Sequence, residues 1–297
     1  MSVIGPELMR LHPPGPTPPV TGPARAGALR VAFVFQGGGS LTAGQVGMMR
    51  ALLEAGIRPD FVVGSSAGAL NAVAFATDPS LAGVHRLEAL WRQLRRRHVA
   101  AVSVTTLLKV LTGRGHGLLD TRAVEELVGT QLFARSFDQT AIPAYVVATA
   151  LHSGQPVTLS SGPLLPALLA SSAYPGAFAP VTIDGVDLID GGVGADVPVL
   201  QADEIGADTI YVLPAAVTPA TSTTALRNPF AAAYRAVEVL MESIARRDLV
   251  AVGAGVRLLP APTTATTLPI DFRDTSALID AGYTLTSAWL AERLAVA

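Results

Sequence analysis

Apolar positions along this chain fall into two rhythms. Short runs with hardly a polar break, at Leu29 to Gln36, Phe61 to Val63, Ala144 to Ala150 and Thr209 to Leu213, predict buried strands. Pro156 to Ser160 reads as a further strand. Longer stretches at helical spacing predict helices over Thr42 to Ala55, Leu164 to Ser172, Pro198 to Gly206, Pro229 to Val252 and Thr275 to Ala295. Leu81 to about Gln131 is mostly helical in pattern, with Asp120 or Thr121 suited to cap a helix after a loop at Gly113, Gly115 and Gly117. Turn chemistry separates the segments. Gly56 closes the first helix, and Tyr174-Pro175-Gly176 is a strong turn. Asp184-Gly185 predicts the tip of a hairpin within Ile183 to Gly192. Thr218 to Thr224 and Pro260 to Pro269 read as connections. Strand, glycine turn, helix, strand, sharp turn, helix is a βαβα beginning. It predicts one α/β domain over residues 29–297, a central, mainly parallel sheet between two layers of helices.

Residues 1–28 break both rhythms. Pro6, Pro13, Pro14, Pro16, Pro18, Pro19 and Pro23 preclude a helix or a central strand, so a flexible tail is expected. Half of the chain's residues are hydrophobic and 15% are charged, enough for a sizeable core. Mean hydropathy is +0.44, yet no run reaches the length of a membrane span. A net charge of −2 argues against nucleic acid as a partner. With no cysteine, disulfides, thiolate catalysis and cysteine-ligated zinc are excluded. No secretory signal is legible at the amino terminus, so a cytoplasmic location is expected, with contact at a membrane surface left open. Oligomeric state is not legible.

The chemistry centres on Gly64-Ser65-Ser66-Ala67-Gly68. Between an apolar strand and an alanine-rich helix, Gly-x-Ser-x-Gly is a nucleophile elbow, a turn that lifts its serine hydroxyl off the carboxyl edge of a sheet. Gly64 and Gly68 leave room where a side chain would collide. The helix that begins there turns free N–H groups and its positive dipole end towards Ser66. At the same edge Gly37, Gly38 and Gly39 follow the first strand, and successive backbone N–H groups there can face one concavity and bind an oxyanion. A dinucleotide loop is the competing reading, but its last glycine is replaced by Thr42 and no acid ends the second strand. A Walker loop fails for want of Gly-Lys-Ser/Thr.

A serine hydroxyl needs a base. The histidines are His12, His85, His98, His116 and His152. None follows His152, so a Ser, Asp, late His order is hard to assemble; His152 with Asp120 or Asp138 is its least strained form. Lys109, the single lysine, lies in an apolar helical segment and is better read as reaching solvent. Asp190 ends a short apolar strand and precedes Gly191 and Gly192. On local sequence it reads either as a hairpin turn or as a carboxylate poised to orient the serine and take its proton.

Taken together, Gln36-Gly37-Gly38-Gly39, the elbow with Ala69-Leu70-Asn71-Ala72, and Asp190-Gly191-Gly192 resemble patatin-like phospholipases, in their order. Gly117 to Asp120, Ala170 to Phe178 and Asp196-Val197-Pro198-Val199 are similar to that family too, so the resemblance covers Leu29 to Leu213. It implies a patatin-like α/β fold and a Ser–Asp dyad without histidine: Ser66 as nucleophile, Asp190 as base, and the turn of Gly37, Gly38 and Gly39 as oxyanion hole. It further implies hydrolysis of lipid or phospholipid acyl esters through an acyl-enzyme, with no metal or organic cofactor. Three departures stand out. Leu41 and Thr42 occupy positions where the family's loop usually continues to another glycine after a basic residue, and Asp196 stands where the family often has Asn. Two other readings are a lipid- or acyl-binding protein without catalysis and a Ser-His-Asp esterase. Arg92, Arg95, Arg96 and Arg97 read either as a headgroup-attracting patch or as a solvated face paired with acids such as Glu88.

Overall fold

Successive side chains of the central strands go to opposite layers. Phe33, Phe35 and Val62 join one buried cluster, while Ala32, Val34, Phe61 and Val63 join another. A strand buried on both faces keeps no polar side, which is why the sequence pattern there is unbroken. The computed structural model describes residues 29–94, 134–218, 229–265 and 270–294. The expected tail, Arg95 to Arg97, His98, Lys109, His116, the loop and cap from Gly113 to Thr121, and the connection after Thr218 lie outside the described residues.

Eight described strands form one sheet: β1 Val31–Phe35, β2 Phe61–Ser65, β3 Ala144–Ala150, β4 Pro156–Leu159, β5 Val181–Ile183, β6 Val186–Ile189, β7 Thr209–Leu213 and β8 Val256–Leu258. Their order is β5-β6-β3-β2-β1-β7-β8, with β4 also on β3. From β3 through β8 the main path is parallel, and β4, β5 and β6 add antiparallel pairs at one end. Asp184 (φ 50°) and Gly185 (φ 78°) turn the β5–β6 hairpin, at the predicted tip.

The described helices are α1 Gly44–Glu54, α2 Ala67–Thr77, α3 Leu81–Gln93, α4 Leu164–Ser171, α5 Gly192–Ala195, α6 Val199–Glu204, α7 Pro229–Val252 and α8 Thr275–Leu294. α1, α2, α3, α4 and α8 cover one face of the sheet; α5, α6 and α7 cover the other. The mainly parallel sheet between two helical layers is therefore present. Two details differ from expectation. The helix predicted from Thr42 opens as a 3-10 turn, Gly39–Ala43, because Gly38 (φ 138°) and Gly39 (φ 58°) hold the chain out of helical geometry and Thr42 Oγ1 donates to Gly39 O at 2.8 Å. β8 had no sequence signal, since it has three residues and leaves Arg257 and Leu258 exposed. On the surface Arg92 pairs with Glu88 at 2.7 Å, as the solvated-face reading anticipates, and also with Asp280 at 2.6 Å.

Candidate active site

β1 and β2 pair in parallel with Phe35 opposite Gly64, so the turns that leave them emerge at one edge of the sheet. Ser66 occupies the second turn with φ 52° and ψ −129°. A β-carbon-bearing residue holds that conformation only under strain, of order 1–3 kcal/mol, when its surroundings dictate it. They do so here. A side chain at Gly64 would stand 2.6 Å from Ala69 Cα, and one at Gly68 would overlap the Gln36 carbonyl, so α2 packs directly on the strand ends. Ser66 N–H donates to Ser171 Oγ at 2.8 Å, and that hydroxyl donates onward to Val147 O at 2.6 Å.

The Ser66 hydroxyl donates to Asp190 Oδ2 at 2.6 Å. Asp190 follows β6 and is fixed from several sides. Its N–H donates to Ala173 O (3.0 Å), Thr149 Oγ1 donates to its carbonyl (2.9 Å), and its Oδ1 accepts from Gly192 N–H (2.8 Å). Gly191 lies against the Val147 carbonyl and admits no side chain, while Gly192 lies against the end of the Met241 side chain of α7. Only 1% of Asp190 is exposed. Burial, and in smaller part the Asp196 charge, push its carboxyl up to about 7 against the pull of the Ser66 and Gly192 hydrogen bonds.

The glycine turn divides its donors. Gly37 N–H donates to Asp196 O at 3.0 Å, and a side chain there would stand 2.6 Å from Asp196 Oδ1 and 3.3 Å from Ser66 Cβ. Gly37 thus lets two segments close on each other, with its N–H already engaged. The N–H groups of Gly38 and Gly39 have no hydrogen-bond partner among the described residues. Thr42 is fully buried and tightens this turn, and Leu41 N–H donates to Gly38 O at 3.2 Å.

Asp196 brings a second buried carboxylate. Its Oδ2 accepts from Gln36 Nε2 at 2.8 Å, while burial and then the Glu242 charge push it up to about 6 against that hydrogen bond. Tyr174, in the predicted turn after α4, is pushed up to about 12 by burial and then by the charges of Glu238, Asp190 and Asp196. His152 is exposed in the turn after β3, with Asp187 at 3.8 Å, and Asp138 is exposed elsewhere. Neither meets Ser66, whose hydroxyl is directed at Asp190. His85 is exposed on α3. Among the described residues no group of three or more His, Asp or Glu side chains could hold a metal ion. No described helix is long and apolar enough to cross a membrane.

Residue reasoning passed over Ser171, Thr149, Gln45 and Tyr174 as parts of the site. Ser171 and Tyr174 lie within the family-like stretch Ala170 to Phe178, a signal that could have marked them. Thr149 and Gln45 sit inside an apolar strand and helix, where nothing but their polarity set them apart.

Fold and site define a class: a two-sided α/β sheet carrying a serine on a strand-to-helix turn, against an aspartate from another strand end. Residues 33–203, more than half of the chain, match the family model for patatin-like phospholipase. The chain belongs to the patatin-like phospholipase family. An uncharacterised NTE family protein of Mycobacterium tuberculosis is 32% identical over 185 residues, covering 60% of this chain and 47% of that protein. Lysophospholipase nte1 of Aspergillus terreus is 28% identical over 191 residues, 62% of this chain and 12% of its own. The matched segment thus spans less than half of these relatives. Among solved structures, VipD from Legionella pneumophila aligns with a TM-score of 0.48 and 15% identity, over 89% of this chain and 67% of that one.

Proposed function

We propose that this protein hydrolyses carboxylic esters of lipids, in the manner of a phospholipase A or lysophospholipase, with Ser66 as nucleophile and Asp190 as its base. The observation that carries the reading is the 2.6 Å hydrogen bond from Ser66 Oγ to Asp190 Oδ2. Family membership and the lysophospholipase name of one relative support the lipid ester as substrate.

In the first step Ser66 Oγ attacks the ester carbonyl as its proton passes to Asp190. A carboxyl raised to about 7 is a far stronger base than an exposed aspartate and still ionised in neutral solution to a useful extent. The oxyanion is met by the N–H groups of Gly38 and Gly39 and by the amino-terminal end of α2. The glycine turn serves as oxyanion hole, with Gly37 shaping it rather than donating. Collapse of the tetrahedral intermediate expels the alcohol, which takes the proton from Asp190 and leaves Ser66 acylated. Water then attacks the acyl-enzyme, giving its proton to Asp190, and release of the fatty acid returns the proton to Ser66. Residues 29–297 act in this reading as one catalytic unit that meets its substrate at a lipid surface.

A fluorophosphonate probe, followed by mapping of the adduct, tests the proposal. The probe is expected to mark Ser66 in the wild type and nothing in Ser66→Ala. Asp190→Asn should slow hydrolysis of a lysophospholipid by about 10²–10⁴-fold. A wild type that neither labels nor cleaves short-chain esters would instead support a lipid-binding role. Activity that survives Asp190→Asn and is lost in His152→Ala would support a histidine-based esterase.

A further inference from the structure

We propose that Asp196 is a positioning residue, which clamps the glycine turn after β1 to the corner carrying Asp190 and holds a second carboxylate beside that base. The inference rests on the Ser66–Asp190 reading and extends it to a residue that takes no part in the steps above.

Asp196 grips the turn twice. Its carbonyl accepts from Gly37 N–H at 3.0 Å, and its carboxylate accepts from Gln36 Nε2 at 2.8 Å. Gln36 is itself held at every polar atom on the far side. Its Oε1 accepts from Ala215 N–H at 3.0 Å, and its carbonyl accepts from Gln45 Nε2 at 2.8 Å. Gln45 reaches Leu213 O as well (3.0 Å), and its Oε1 accepts from Asn71 Nδ2 at 2.8 Å. Asn71 Oδ1 in turn accepts from Trp91 Nε1 at 2.8 Å. Gln45 and Asn71 are almost completely buried. A buried polar chain with its members satisfied fixes a geometry, and this one runs from α3 through α2 and α1 to the turn, ending on Asp196. The N–H groups of Gly38 and Gly39, without partners among the described residues, follow directly on the turn that this chain fixes.

Acceptance from Gln36 requires only an oxygen, which an Asn would also offer. The carboxylate adds charge. A side chain at Gly192 would stand 3.0 Å from Asp190 Oδ1 and 3.2 Å from Asp196 Oδ1, so the acids flank that glycine. Other groups facing Asp196 are Glu242 of α7, in ion pairs with Arg235 (2.9 Å) and Arg246 (3.8 Å), and Tyr174 after α4; Glu238 of α7, paired with Arg235 at 3.2 Å, faces Tyr174. An ionised Asp196 disfavours ionisation of Asp190, so removing its charge lets Asp190 ionise at lower pH.

The test is hydrolysis of a soluble p-nitrophenyl ester across the acid limb by wild type, Asp196→Ala, Gln36→Ala and Asp196→Asn, with fluorophosphonate labelling rates and thermal melts. Asp196→Ala and Gln36→Ala should each lower kcat by about 10–100-fold with KM changed far less. Asp196→Asn should recover most of that kcat and move the acid limb down by about half a pH unit or more. A wild type that labels at Ser66, with Asp196→Ala and Asp196→Asn matching its kcat and its pH limb, would overturn this proposal alone. A wild type that fails to label would take the parent reading down first, and this one with it. The near-isosteric Asp196→Asn keeps the test decisive if the alanine variants fail to fold.

Discussion

In the proposed reaction Asp190 accepts a proton while lying almost wholly out of water, and its burial sets the pH at which it would do so. With its carboxyl at about 7, the basic form accumulates only as pH rises through neutrality. kcat/KM is therefore expected to climb with pH up to and just past 7, and a profile already flat at pH 5 would contradict this role. Ser171 has a different part. Its one hydroxyl satisfies both Ser66 N–H and Val147 O, so Ser171→Ala leaves a donor and an acceptor unpaired near the site. A loss of about 1–3 kcal/mol in urea unfolding, with slower labelling of Ser66, is the expected result. Ser66 and the glycines are legible because turn chemistry is written in neighbouring residues, whereas Asp190, locally either a hairpin turn or a carboxylate base, stands out only through the family resemblance. Ser171 is not legible, because its role depends on a backbone carbonyl of a strand 24 positions away.

The parallel core was readable at the level of elements since both faces of β1 and β2 are buried, and nothing polar interrupts their runs. β8 was hidden for the opposite reason: a short edge strand with solvent on one side has no such pattern. Contacts between helices were equally silent. α1 and α8 cross so closely that a methyl group at Gly47 would overlap the Ile279 carbonyl and stand 2.6 Å from Tyr283 N. Helix propensity alone favours Ala over Gly by about 1 kcal/mol, but forced separation of two backbones costs about 1–3 kcal/mol. The collision should win. Gly47→Ala is expected to lower the thermal midpoint while the pH profile of hydrolysis stays where it was, and a raised midpoint would refute the packing argument.

Across the whole molecule the same two acids oppose stability. Unfolded, each ionises near 3.9; folded, Asp190 waits until about 7 and Asp196 until about 6. Between those values the folded chain holds more protons than the unfolded one, so their contribution to stability is fully present below about pH 4 and is lost as pH rises through 6 and 7. The double variant Asp190→Asn with Asp196→Asn should be more stable than wild type at pH 8, with a smaller difference at pH 4. Equal midpoints at both pH values would show that burial of these acids has no such effect.

The strand order has one more consequence, and it concerns time. β1 sits between β2 and β7, and Val31 pairs with Thr209, so one side of this wholly apolar strand stays open until some 180 later residues have been made. Asp196 likewise meets Gln36 across 160 positions. During synthesis the elbow can form from β1 and β2 well before its partners exist, while an unpaired strand edge invites association with other nascent chains. The candidate centre is thus completed only after its first two strands have waited for Asp190, Asp196 and β7, and the interval before β7 arrives is when chaperone protection would matter most.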